Sequence, residues 1–122
     1  MQRHLVAVVD DDESVRESLP DLLGELGYAA KVFASAEEFL DSGSLADPQC
    51  LILDVAMPGM SGPELHRELL RRGHRIAVIF ITAVADESLP ALLLQQGAVA
   101  CLIKPFSEQD LRGALDAAIP GS

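Results

Sequence analysis

The sequence predicts an α/β fold, a doubly wound five-stranded parallel sheet with helices on both faces. Three observations predict it. Apolar runs and stretches of helical period alternate five times along the 122 residues. The connections between them are short, as parallel strand–helix–strand units require. Most of the runs are continuously apolar and do not alternate, which marks strands covered on both faces. The length suits one domain large enough to bury a core. No internal repeat interrupts it, so residues 1–122 read as a single domain.

The first run, Leu5 to Val9, ends at the acids Asp10-Asp11-Asp12-Glu13. Four acids in a row are usually a solvated face or a helix start. Asp12 suits an N-cap and Glu13 a first turn. Asp10 and Asp11 instead follow the strand directly. A helix from about Glu13 to Leu26 carries the stripe Val15, Leu19, Leu22, Leu23 and Leu26. Pro20 falls inside it and predicts a bend near Arg16 to Pro20 within one helix. Gly27 ends it. Ala29 to Phe33 alternates weakly and reads as an edge strand. Ser35 caps a short helix through Leu40, with Glu38 at the capping-box spacing. Residues 43–49 read as a loop.

The next strand, Leu51-Ile52-Leu53, stops at Asp54 and meets the turn Met57-Pro58-Gly59. Taken alone, Asp54 is equally well read as a cap or turn residue. Ser61 and Glu64 form a second capping box, and Leu65, Leu69 and Leu70 are expected to face inward. Arg71-Arg72-Gly73 closes that helix with charges favourable to its dipole. Ala77 to Ile81 is a strand ending at Thr82. Pro90 fits the first turn of a helix starting near Ser88 and ending before Gly97. Residues 83–88 are then expected to form a loosely held loop. Ala98 to Ile103 is the last strand, ending at Lys104-Pro105. Ser107 caps the last helix, with Asp110 three residues on and Leu111, Leu115 and Ile119 as its apolar positions.

Composition narrows the function. The net charge is −10 with no basic stripe, which argues against direct nucleic-acid binding and for cations or basic partners. No apolar run approaches the roughly 20 residues of a membrane span. The chain enters a strand soon after Met1, leaving no room for a leader, so a cytoplasmic protein is the expectation. Cys50 and Cys101 match no zinc spacing and read as free, buried thiols.

Parallel strands present their carboxyl ends to one edge, where open α/β sheets bind ligands. Here that edge collects Asp10, Asp11, Asp54, Thr82 and Lys104. Three neighbouring carboxylates repel unless protons or a cation intervene. Mg²⁺ suits them, because it accepts a few carboxylates and keeps waters. Asp54 is then placed to act as a carboxylate nucleophile towards phosphorus and form an acyl phosphate. Lys104 would supply positive charge to the phosphoryl oxygens, and Thr82 a hydrogen bond. At rest, Lys104 is equally readable as an ion-pair partner of these acids.

The chain resembles the receiver domains of two-component response regulators. The resemblance rests on Val8-Val9-Asp10-Asp11-Asp12, the run from Leu53 to Gly62, Ile81-Thr82-Ala83, Gly97-Ala98 and Lys104-Pro105-Phe106. The segments Met57 to Gly62 and Val15 to Leu19 resemble the subfamily with helix-turn-helix output domains. The resemblance implies a flavodoxin-like sheet in order 2-1-3-4-5 and a cis Lys104-Pro105 peptide. It implies phosphotransfer from a sensor histidine kinase to Asp54. It implies Mg²⁺ held by Asp11, Asp54 and the backbone carbonyl of Ala56, with Asp10 reaching the metal through water. Such a domain is no enzyme beyond catalysing its own phosphorylation and dephosphorylation. Homodimerisation on phosphorylation and a C-terminal DNA-binding output domain outside this chain are partners the family allows. Phosphorylation is expected to draw Thr82 and Lys104 inward and to change the surface of the following helix and strand.

Three positions depart from the family pattern. Ala56 and Val84 are apolar where relatives often carry polar side chains, and Cys101 stands where an aromatic switch residue is common. Two rival classes remain open on the sequence. A metal-dependent phosphohydrolase would need a second acid near the nucleophile, where Ala56 stands. A degenerate receiver would bind only proteins, against the full set of acids, Thr82 and Lys104. A nucleotide-binding fold is weaker, since no glycine-rich phosphate loop follows the first strand.

Overall fold

The computed structural model describes residues 3–83 and 86–120. Five strands and five helices alternate: β1 (Leu5–Val9), α1 (Glu13–Glu25), β2 (Ala29–Phe33), α2 (Ala36–Asp41), β3 (Cys50–Asp54), α3 (Gly62–Arg71), β4 (Ala77–Thr82), α4 (Ser88–Gln95), β5 (Ala100–Ile103) and α5 (Glu108–Ala118). All pairings are parallel, in the order β2-β1-β3-β4-β5. The chain starts in the middle of the sheet, steps out to the β2 edge, and then crosses β1 to build the other half.

Period-2 alternation divides the strand side chains between two cores. Ala7, Val9, Leu51, Leu53, Val78 and Phe80 face Phe39 of α2, Leu65 and Leu69 of α3, and Leu93 of α4. Val6, Val8, Cys50, Ile52, Ile79 and Ile81 face Leu19 and Leu23 of α1 and Leu111 and Leu115 of α5. Full burial of each large side chain stabilises the fold by about 1.5–3 kcal/mol.

The helix boundaries follow local chemistry. Asp12 caps α1, accepting from the Ser14 N–H at 2.9 Å. Pro20 lies inside α1, which remains one helix. Gly27, at φ +97°, takes the left-handed conformation that ends it. Ser61 and Glu64 complete a reciprocal capping box on α3, as Ser107 and Asp110 do on α5. Both cysteines are free; burial pushes the Cys50 thiol up to about 12, whereas Cys101, expected to be buried as well, is only half-buried.

Several expectations need correction. Ser35 caps α2, but Glu38 does not return to the Ser35 N–H; it accepts from Ala34 N–H, one residue earlier, at 3.2 Å. Leu70 does not face inward and is 42% exposed. The third inward position of α3 belongs to His66, whose ring meets Phe80 edge-on at 5.8 Å. Leu65, His66 and Leu69 share one face at i, i+1 and i+4, and Leu70 falls beyond its rim. Burial, then the charge of Arg67, holds the His66 pKa below the usual imidazole value. The strand β5 starts at Ala100, not Ala98. The helix α4 does start at Ser88 as expected, with Pro90 in its first turn, and Asp86 accepts from the Ser88 N–H at 3.0 Å. Val84 and part of the 83–88 loop lie outside the described residues. No helix among the described residues is long and apolar enough to cross a membrane.

Candidate functional site: an acidic pocket at the carboxyl edge of the sheet

The sheet order sets β1 and β3 side by side at its centre, so Asp10 and Asp54 emerge together. Each of Asp10, Asp11 and Asp54 offers an oxygen, and these oxygens lie within 4.8 Å of one another. Asp10 is fully buried and Asp54 is 6% exposed, whereas Asp11 faces solvent. Lys104, from the end of β5, reaches across to them. Its Nζ stands 2.9 Å from Asp10 Oδ2 and 3.9 Å from Asp54 Oδ1. The resting-state ion pair read from the sequence is therefore present. The Lys104–Pro105 peptide is cis.

Strand parity explains this grouping. Asp54 continues the face of Cys50 and Ile52, and Lys104 that of Ala100 and Leu102, towards α1 and α5. Thr82 continues the opposite face, that of Val78 and Phe80, towards α4. It is 2% exposed. Its backbone carbonyl accepts from the Lys104 N–H at 2.8 Å. All five residues thus share the edge, but Thr82 belongs to the α4 side of it.

The electrostatics are those of an over-filled acidic pocket. Burial raises the Asp54 pKa to about 7; the Asp10 charge and hydrogen bonding with Asp10 and Asp11 push the same way, against the pull of Lys104. Burial works against the Lys104 charge, but Asp10, Asp54 and Asp12 outweigh it and leave the ammonium pKa above its ordinary value. Asp10 Oδ1 accepts from the Asp12 N–H at 2.9 Å, but among the described residues the buried Oδ2 has the Lys104 ion pair and no hydrogen bond of good geometry. A buried acceptor left in this state calls for a further positive partner. An all-oxygen donor set containing carboxylates suits a hard divalent cation.

For three residues that matter here, no contact with the site could be read from the sequence. Arg16 Nη1 donates to the Asp10 carbonyl at 3.0 Å, fastening the end of β1 to α1. Glu37 Oε2 accepts from the Met60 N–H at 2.9 Å and so reaches the loop after β3. Gly62 begins α3 directly against the backbone of Asp54 and Val55. The spacings between these partners, 6, 23 and 8 residues, fit no local motif. Ala56 is exposed in the loop that follows β3.

A 2-1-3-4-5 parallel sheet with paired acids and a lysine at its carboxyl edge defines a phosphorelay receiver. The chain belongs to the response regulator receiver domain family, whose model matches residues 6–116. It is 42% identical over 119 residues to the response regulator protein TmoT of Ectopseudomonas mendocina, covering 97% of this chain and 54% of that protein. It is 43% identical over 114 residues to the transcriptional regulatory protein FixJ of Azorhizobium caulinodans, covering 93% of this chain and 54% of that protein. Among solved structures it superposes on the FixJ-N crystal structure with a TM-score of 0.84 at 38% identity, over 97% of this chain and 94% of that one. The chain thus spans about half the length of these curated relatives.

Proposed function

We propose that this receiver accepts a phosphoryl group on Asp54 from a sensor histidine kinase and relays it as a conformational change. The observation that carries the reading is the convergence of Asp10, Asp11 and Asp54 within 4.8 Å, faced by Lys104. Asp11, Asp54 and the Ala56 carbonyl would hold Mg²⁺, with Asp10 acting through water. When bound, the ion supplies positive charge to the phosphoryl oxygens. An Asp54 oxygen attacks phosphorus, the bond from phosphorus to the donor breaks, and the bonding pair leaves with the donor atom. Lys104 shifts from its resting pairs towards the new phosphoryl oxygens. Thr82, on the α4 side, would donate its hydroxyl to another of them and draw the start of α4 after it. FixJ is a transcriptional regulatory protein and this chain spans about half of it, so a DNA-binding output domain, joined to this one and dimerising on phosphorylation, is the natural reader in the cytoplasm. The domain then catalyses only its own phosphorylation and dephosphorylation.

Acetyl phosphate with Mg²⁺ tests this without the kinase. Intact mass should show one added phosphoryl group, lost when Mg²⁺ is chelated beforehand. Failure to bind Mg²⁺ would instead favour a protein-binding module. Turnover of a phosphate ester would favour a hydrolase.

The phosphoryl group should be long-lived, because Ala56 offers no polar side chain to orient an attacking water. Ala56→Arg supplies one. Its phosphoryl group should decay faster, because a held water reaches phosphorus without first having to be ordered. Slower decay in the variant than in the parent contradicts this account of the lifetime.

A further inference from the structure

The loop between β3 and α3 is held at two places. At its start, the Val55 N–H donates to the Ile81 carbonyl at 3.0 Å, and the Val55 carbonyl accepts from the Gly62 N–H at 2.9 Å. Near its middle the hold comes from α2. The Met60 N–H donates to Glu37 Oε2 at 2.9 Å, and the two residues are 23 apart in sequence. The same carboxylate lies over Gly59, where a Cβ would stand only 2.7 Å from Oε2. Gly59 also has φ +77°, a conformation open to glycine and strained for other residues. The loop is therefore shaped to receive this carboxylate, and the bond is charge-assisted. Glu37 itself sits on a firm base. It lies in the first turn of α2, between the Ser35 cap and the buried Phe39. Between the two holds lies Ala56.

We propose that Glu37 is a positioning residue for the acidic pocket. Its carboxylate holds Gly59 and Met60 and thereby sets the loop that presents the Ala56 carbonyl beside Asp54 to a divalent cation. The inference rests on the reading of that carbonyl as a metal ligand.

Calorimetric titration of the whole chain with Mg²⁺ tests it, using Glu37→Ala, Glu37→Gln and Glu38→Ala beside the parent. Groups that orient a metal ligand are typically worth 10–100-fold in affinity. Glu37→Ala should weaken Mg²⁺ binding about tenfold, at the low end of that range because Glu37 acts through the loop. Glu37→Gln should stay within about twofold of the parent, because its amide oxygen can accept the same N–H. Glu38→Ala loses only the α2 bond to Ala34 N–H and should bind as the parent does. With acetyl phosphate, Glu37→Ala should need more Mg²⁺ for half-maximal phosphorylation yet reach the parent's plateau. Parent-like affinity in Glu37→Ala overturns the proposal. So does an equal loss in Glu37→Gln, which would assign the effect to charge, or an equal loss in Glu38→Ala, which would assign it to α2 stability. If the parent binds Mg²⁺ but takes up no phosphoryl group, the phosphorelay reading falls while the affinity comparison still decides the role of Glu37.

Discussion

Asp54→Asn should take up no phosphoryl group from acetyl phosphate, and in Mg²⁺-free buffer at pH 8 it should melt above the parent. The first effect follows from the chemistry, because an amide oxygen cannot form the acyl phosphate. The second follows from the pocket. The Asp54 pKa is raised from 3.8 to about 7, so between about pH 4 and 7 the folded state holds a proton that the unfolded chain has released, and at pH 8 it carries a charge that its pocket disfavours. Stability from this group is full below about pH 4, falls as pH rises to 7, and stays low above it. Removing the charge should recover on the order of 1–2 kcal/mol at pH 8, after allowance for solvent reaching this pocket. At pH 4, where Asp54 is protonated, the variant and parent should differ little from this cause. Adding Mg²⁺ should raise the melting temperature of the parent far more than that of the variant. Thermal melts at both pH values and intact mass check the pair. Equal mass gain in the variant removes Asp54 from the chemistry, and a melting difference independent of pH removes the charge-repulsion account.

The strand ends were legible because strand and ligand edge are local properties. An apolar run that stops at a polar residue states both where the strand ends and what it presents. Asp10, Asp11, Asp54 and Lys104 could therefore be placed on one edge before any coordinates, and Lys104 is found paired with Asp10. Caps were legible for the same reason, since Asp12, Ser61 and Ser107 act on N–H groups two or three residues away. What could not be read was the joining of distant segments. Nothing near Glu37 points to Met60, and nothing near Arg16 points to the Asp10 carbonyl. The misplacement of Leu70 has a different origin. Both Leu70 and His66 lie near the rim of the apolar face of α3, and their hydrophobicity points the wrong way. Packing decides between them: His66 meets the Phe80 ring, and Leu70 has solvent beside it. The face on which Thr82 falls required the register of β4, which composition alone does not supply.

Gly62→Ala should destabilise the domain by about 3 kcal/mol, the upper part of the usual range for over-packing. In a domain of this size that lowers the melting temperature by about 10 °C. A Cβ at residue 62 would overlap the Asp54 carbonyl oxygen and stand 3.1 Å from both the Asp54 carbonyl carbon and Val55 Cα. These are backbone atoms at the end of a central strand, with no flexible side-chain end to swing aside. Either α3 must back away from the sheet, giving up contacts of the buried Leu65, or the end of β3 must move and carry Asp54 with it. Mg²⁺ affinity should therefore fall together with stability, by about tenfold. The comparison is Gly113→Ala. Gly113 is an exposed residue inside α5, and a Cβ there meets nothing within 4 Å. The same chemical change should stabilise that helix by about 0.5–1 kcal/mol and leave Mg²⁺ binding untouched. Thermal melts and Mg²⁺ titrations of the two variants separate the effects. A Gly62→Ala protein that melts within about 2 °C of the parent would show that α3 yields easily there, and that its close approach does not hold Asp54 in place. A large loss instead makes the α3 start a wall of the acidic pocket, built by the absence of a single methyl group.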